Sequence, residues 1–371
     1  MVVPLAARSV IAIVGGLLVL TAWGSLIGTL IVPRPSGGWL TRWVDRIINA
    51  VFSIVTSGIA NHKRRDRVLA TQAAAVLIAQ LVAWLGIFYV GYALLLWPFI
   101  STGLGSAFSM ASPGVFGPNA AVGNAQKVFA DLAAFTALVA VTLQIAYLPT
   151  LYSEFNRREN EVSLLNARAG APSWGPELLA RTHYALGSGA STIDTLPDLY
   201  TQWERWAADV AESHTTYLPL VRFRSPKPLS SWVTALLAVL DSAALYLALS
   251  PQSAPAVPAR LCLRGGFQCF TQVARAMDID VPDVADPGAG ISLSYDEFLD
   301  AVTRMQKVDF PIERNPADAW PDFVGWRVNY EQAAYAVAAA IDAVPAMWSG
   351  PRRHPVAAIA PLRPPAGQPP K

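Results

Sequence analysis

Residues 68–126 contain no Asp, Glu, Lys, Arg or His, a run of fifty-nine positions. A soluble domain spreads charge over every exposed face, so a run this long points away from one. Its texture changes along its length. Residues 68–100 are continuously apolar, whereas 101–118 are rich in Gly, Ser and Pro. Lys127 and Asp131 then lead into a second charge-free run, 132–153. A hydrocarbon core about 30 Å thick needs roughly 20 apolar helical residues. Three segments qualify: 9–32, 69–100 and 128–151, the second long enough to cross with tilt. A signal peptide is the alternative for the first. It lacks a small-x-small cleavage site, and its apolar run exceeds the roughly 7–15 residues such signals use.

Outside these segments the pattern is helical. Over 39–60, Trp43, Ile47 and Val51 share one stripe, while Arg42, Asp45, Arg46 and Asn49 lie elsewhere. The helix either lies at the membrane interface, with Trp39 and Trp43 as anchors, or packs on the protein itself. From 152 onward, breakers at Gly170, Pro172, Gly175, Pro197, Pro219, Pro226, Pro228 and Pro251 separate helices. No strand alternation appears. Residues 232–249 are apolar enough to span, but Asp241 sits at their centre. Insertion of a central Asp costs about 2.5–3.5 kcal/mol, so the segment reads as a buried helix rather than a fourth span. The fold expected is all-α. It has three transmembrane helices, a re-entrant pore-like loop between the second and third, and a cytosolic all-α C-terminal domain. The divisions fall at 1–67, 68–151, 152–350 and a disordered proline-rich tail, 351–371.

Charge sets the orientation. Arg34, Arg42, Arg46, Lys63, Arg64, Arg65 and Arg67 lie between the first two spans, and Lys127 alone lies between the second and third. The positive-inside rule places 33–67 and the C-terminal half in the cytoplasm, and the 101–126 loop and the N-terminus outside. The expected location is the plasma membrane, multi-pass. A net charge of +2 over 371 residues gives no reason to expect nucleic acid. Two cysteines, Cys262 and Cys269, exclude a disulfide framework and read as buried thiols. No cofactor and no metal are expected. The acidic stretch Asp278, Asp280, Asp283, Asp286 fails as a calcium loop, because its sixth position is not Gly and its twelfth, Ala289, is not Glu. No nucleophile elbow, phosphate loop or zinc-protease motif is present, and no enzyme is expected. His62 and His214 read as structural.

Non-helical backbone at membrane depth survives only where protein or water covers it, and a carbonyl-lined filter needs several copies of its loop. One loop per chain therefore implies a homotetramer around a shared axis. The order of segments, with several strings, resembles the actinobacterial two-transmembrane/pore-loop ion channels described as potassium-channel-like. The strings are Thr-Leu-Ile-Val-Pro at 29–33, Leu-Thr-Arg at 40–42 and Gly-Tyr-Ala-Leu-Leu-Leu-Trp-Pro at 91–98. They continue with Gln-Ile-Ala-Tyr-Leu-Pro at 144–149, Asn-Arg-Arg-Glu at 156–159, Gly-Trp-Arg-Val-Asn-Tyr-Glu at 325–331 and Trp-Ser-Gly-Pro-Arg-Arg at 348–353. The resemblance implies a cation-conducting pore, passing monovalent cations, with a cytosolic regulatory domain.

Ser112, Pro113, Gly114, Val115, Phe116 and Gly117 are the nearest string to a filter. No Gly separates Val115 from Phe116, and Pro113 fixes φ, so potassium selectivity does not carry over. Asp131 is a mouth candidate or the ion-pair partner of Lys127. Gln144, on a face with Ala133, Ala137 and Ala140, is a cavity candidate or part of a close helix contact. Pro149 is a helix-exit bend or a hinge. The alternative function is a non-conducting membrane-anchored scaffold or signalling protein.

Overall fold

The computed structural model describes residues 5–32, 38–100, 104–116, 123–182, 192–282, 284–286, 288–354 and 356–363. Among these the chain is all-helical, with one isolated backbone bridge between Ala346 and Ile359. It forms two compact units, Met1–Val55 with Thr71–Ser153, and Thr56–Ala70 with Glu154–Lys371.

In the first unit, α1 (Leu5–Leu30) and α4 (Gln72–Leu96) are apolar on every side. At about 1.5 Å per residue they reach about 39 and 38 Å, long enough for the hydrocarbon core. Small residues set their antiparallel approach. A Cβ on Gly15 would stand 2.6 Å from the Gly91 carbonyl oxygen, and one on Gly91 2.8 Å from Val19 Cγ2. Helices in lipid associate by such close packing, since lipid tails are as apolar as leucine. The Trp84 indole donates to Ser25 Oγ at 3.2 Å. Tyr92 and Thr136 share a hydroxyl hydrogen bond of 2.8 Å, which ties α4 to α6 (Asn124–Ala169). Opposite these contacts, Ile13, Leu17, Leu20, Ile78, Val82, Phe135, Leu138 and Ile145 are exposed. Protein covers only 28%, 33% and 33% of the apolar windows within Arg8–Leu30, His62–Phe99 and Gln126–Ala169. So large an apolar surface needs a cover other than water, and these helices have the length and apolarity to cross a membrane.

The amphipathic α2 (Trp39–Ser57) buries Thr41 and Val44 and leaves Trp39, Trp43, Ile47, Val51 and Ile54 exposed. Its apolar stripe is therefore not spent on packing within the chain. The stretch 101–118, expected to be non-helical, contains α5 (Leu104–Phe116). Its small residues let it lie close on α4. Ala107 and Ala111 are buried with Ala93, Leu96, Trp97 and Ile100, and Tyr89 donates its hydroxyl to the Phe108 carbonyl at 3.1 Å. No proline precedes Pro113 in α5, and there it removes only one ladder hydrogen bond near the helix end.

The second unit is built around α9 (Trp232–Leu249), all eighteen residues of which are buried. It is enclosed by α7 (Gly175–Thr182), α8 (Leu196–Thr216), α10 (Ala256–Ala276), α12 (Pro316–Arg327) and α13 (Glu331–Ala340), and α11 (Tyr295–Gln306) packs on α7 and α12. A helix that is apolar all round is surrounded either by lipid or by protein. Protein surrounds this one, which matches the buried-helix reading of 232–249. Trp203, Trp206, Trp232 and Trp348 share the core. Cys262 and Cys269 are buried free thiols there.

Two stretches adjoining the membrane-length segments also pack in this unit. They are α3 (His62–Leu69), capped by the Asn61 side chain, and the part of α6 from Glu154 onward. The stretch expected to be a disordered tail begins as ordered chain. The Ile359 N–H donates to the Pro345 carbonyl at 2.9 Å and the Leu362 N–H to the Ala171 carbonyl at 3.1 Å. Prolines remove donors, and these two backbone bonds tie the stretch to chain outside it. Residues 364–371 lie outside the described residues.

Candidate functional site

In the first unit the candidates lie on α5 and α6. Ser112, Pro113, Gly114, Val115 and Phe116 form the C-terminal end of α5, and Gly117 lies outside the described residues. An extended filter cannot be made of 112–116, because a helical backbone turns its carbonyls along its own axis. The last four carbonyls of a helix do lack intrahelical donors. They concentrate partial negative charge at the end of α5.

Asp131 is exposed on α6, and no ion pair joins it to Lys127. The basic residue comes first in this i,i+4 pair, the weaker of the two orders. Gln144 is buried, and neither its Oε1 nor its Nε2 has a partner. It shares a face of α6 with Ala133, Ala137 and Ala140, which lie against Trp84, Phe88 and Tyr92. That face is close helix packing. Pro149 is exposed inside α6, which continues to Ala169.

Besides Arg65 of α3, the second unit gathers buried charge at four places, three of them on strings quoted above. From Asn-Arg-Arg-Glu, the buried Arg158 binds Glu159 Oε1 through both Nε and Nη2, at 2.9 and 2.8 Å. It also donates to the carbonyls of Leu220 at 2.8 Å and Phe223 at 2.7 Å. Its Nη1 is 2.9 Å from His214 Nε2. Guanidinium only donates, so this imidazole is neutral, with its proton on Nδ1 beside Ser213 Oγ. Burial, reinforced by Arg158, pushes His214 well below the ordinary histidine range.

From Gly-Trp-Arg-Val-Asn-Tyr-Glu, Arg327 is fully buried. It pairs with Asp241 of α9 and with Glu331 at 2.6 Å, and donates to the Trp348 carbonyl at 2.8 Å. Tyr330 donates its hydroxyl to Asp241 at 2.8 Å. Burial opposes the Arg327 charge, but Asp241, the tyrosines and Glu331 outweigh it and hold the guanidinium well above its ordinary range. From Trp-Ser-Gly-Pro-Arg-Arg, Arg352 donates to the carbonyls of Ala343, Val344 and Ser349. Burial pushes it down to about 10.

The fourth place is Glu177 of α7, which is 0% exposed and receives Arg181 at 3.0 Å, Arg304 at 2.8 Å and Arg363 at 2.9 Å. Burial alone would raise this carboxyl, but the three guanidiniums hold it down at about 2. Sequence reasoning flagged Asp241 but found neither its partner, 86 residues away, nor the Glu177 cluster. A charge on an apolar helix announces that a partner exists without naming it.

A groove of about 510 Å³ opens between the charged part of α6 and α8, lined by Arg157, Glu161, Asp198, Gln202, Arg205 and Asp209. Among the described residues no group of His, Cys, Asp and Glu is placed to hold a metal. Compared with known proteins, the chain matches no family model, no curated protein and no solved structure.

Proposed function

We propose that the chain is an ion-channel-like membrane protein in which α1, α4 and α6 cross the bilayer, α5 re-enters it, and the second unit is a cytoplasmic regulatory module. The observation that carries this reading is α5 itself. Thirteen residues make a helix about 20 Å long, too short to cross. It is held against the C-terminal part of α4 between two membrane-length helices. A half-length helix in a membrane directs the partial charge of its end at a buried ion or substrate. The C-terminal end of α5 is negative, which suits a monovalent cation. The ion path then lies beyond Phe116, rather than along 112–116. One such helix per chain lines an axis only when copies share it, so the assembly is a homotetramer in the plasma membrane. The seven basic residues between Arg34 and Arg67 face the cytoplasm.

Single-channel recording of the purified protein in planar bilayers tests conduction, and native mass spectrometry from nanodiscs tests assembly. A tetramer that passes monovalent cations with weak selectivity is the expected result. A strictly monomeric or dimeric protein removes the shared axis and overturns the reading. The second reading is a non-conducting membrane-anchored scaffold. Two observations favour it, the helical state of 112–116 and the mixed-charge groove between α6 and α8. A silent tetramer would select it.

A further inference from the structure

Residues 218–224 touch two stretches that are far apart in sequence. On one side, the Leu220 and Phe223 carbonyls accept from Arg158, and the Phe223 ring lies 5.6 Å from that of Phe155. Both partners belong to α6 just after its membrane-length part. On the other side, Arg224 pairs with Asp66 of α3. The same guanidinium donates to the carbonyls of Ile341 at 2.8 Å and Asp342 at 2.9 Å. Asp342 in turn receives Arg65 of α3 at 2.9 Å. Two residues after α3 the chain enters α4. One short segment therefore holds both the chain that leads into α4 and the chain that leaves α6.

His62 lies at this junction, 8% exposed, and neither ring nitrogen has a partner. The charged groups around it are Arg224 from the 218–224 segment, Arg65 and Asp66 from α3 itself, and Asp342 from the end of α13. These four already form two ion pairs, so a proton on His62 adds a fifth charge with nothing to balance it. Lys63, Arg64 and Arg67 are exposed on the rest of α3.

We propose that residues 218–224 are a clamp on the chain entering α4 and leaving α6, and that uptake of a proton by His62 opens its α3 arm. The sign follows from linkage. Burial and Arg224 hold the docked imidazole below the ordinary 6.5. Above that value the His62 ring is neutral in both docked and released α3, and the clamp is unaffected. As pH falls below it, released α3 takes up the proton first, and docking weakens. The clamp bears on the proposed function only through what it would regulate. It is read from amide exchange and conduction from current, so the two fail separately.

The test is hydrogen exchange on the full chain in nanodiscs, corrected for intrinsic rate. It compares about pH 7.5 with about pH 5.5, on either side of the ordinary imidazole value. Protection of the 63–69 amides should fall in acid, by up to about tenfold, because the lower pH lies about one unit below the ordinary imidazole value and released α3 is then mostly protonated at His62. His62→Phe should keep them protected at both values. Asp66→Asn should deprotect them even at the higher one. His214, also held neutral, loosens the α6 arm in acid, and the His62 variant separates the two. If His62→Phe disturbs α9 protection, His62→Asn is the neutral replacement that decides. Equal α3 protection at both values in the unaltered chain, or acid loss that persists without His62, overturns the proposal.

Discussion

A carboxylate in the middle of an eighteen-residue apolar helix needs either water or a cation. Asp241 has Arg327, with Tyr330 donating to the same oxygen. Removing one partner of a buried pair costs about 3–5 kcal/mol, because the other charge is stranded, whereas an apolar replacement of both is often close to neutral. Asp241→Leu and Arg327→Met are each expected to destabilise the second unit by that amount, and together by much less than the sum. Denaturant unfolding of the four proteins, followed by near-UV circular dichroism, gives the coupling; additive costs would show that the pair is not a unit. The same contrast explains what could be read from sequence here. The need of Asp241 for a partner was legible in an apolar run, but the identity of that partner was set by how α12 folds back on α9.

Among the helices, α1, α4, α6 and α9 were legible because length and apolarity alone define them. The nature of what surrounds them was less so: an Asp at its centre, rather than near an end, sets α9 apart from the other three in sequence, and burial separates them in structure. α5 was hidden, since Gly, Ser and Pro mark a loop unless a neighbouring helix offers a surface for small residues to lie on. α3 was visible only as a basic stretch. Its ion pairs with Arg224 and Asp342 reach across 158 and 277 positions. The crossing of α1 and α4 tests the membrane unit at this scale. Gly91→Leu forces a side chain onto Val19 and the Gly15 carbonyl. Overpacking of this kind costs about 1–3 kcal/mol. Gly86 has nothing within 4 Å of an added Cβ, so Gly86→Leu should leave stability within about 0.5 kcal/mol. Thermal melting in detergent distinguishes them, and equal melting of both variants would remove the crossing as a stabilising contact.

At the scale of the molecule, the orientation expected from the charge asymmetry can be checked directly. Cys262 and Cys269 are buried, so added thiols report alone. A cysteine at the exposed Gly123 should react with an impermeant reagent applied outside intact cells, and one at the exposed Asn160 should not. The reverse pattern would invert the topology. In the expected orientation, the ribosome delivers α9 before α10–α13 exist to cover it. The newly made segment is then shorter than the other membrane-length helices but nearly as apolar, and long enough to cross. Its future counter-ion, Arg327, is still 86 residues from being synthesised. If α9 is cytoplasmic, as proposed, Asp241 is during that interval the unpaired charge that opposes its insertion. On that proposal, the group that later locks the folded core is first a sorting signal, read during translation.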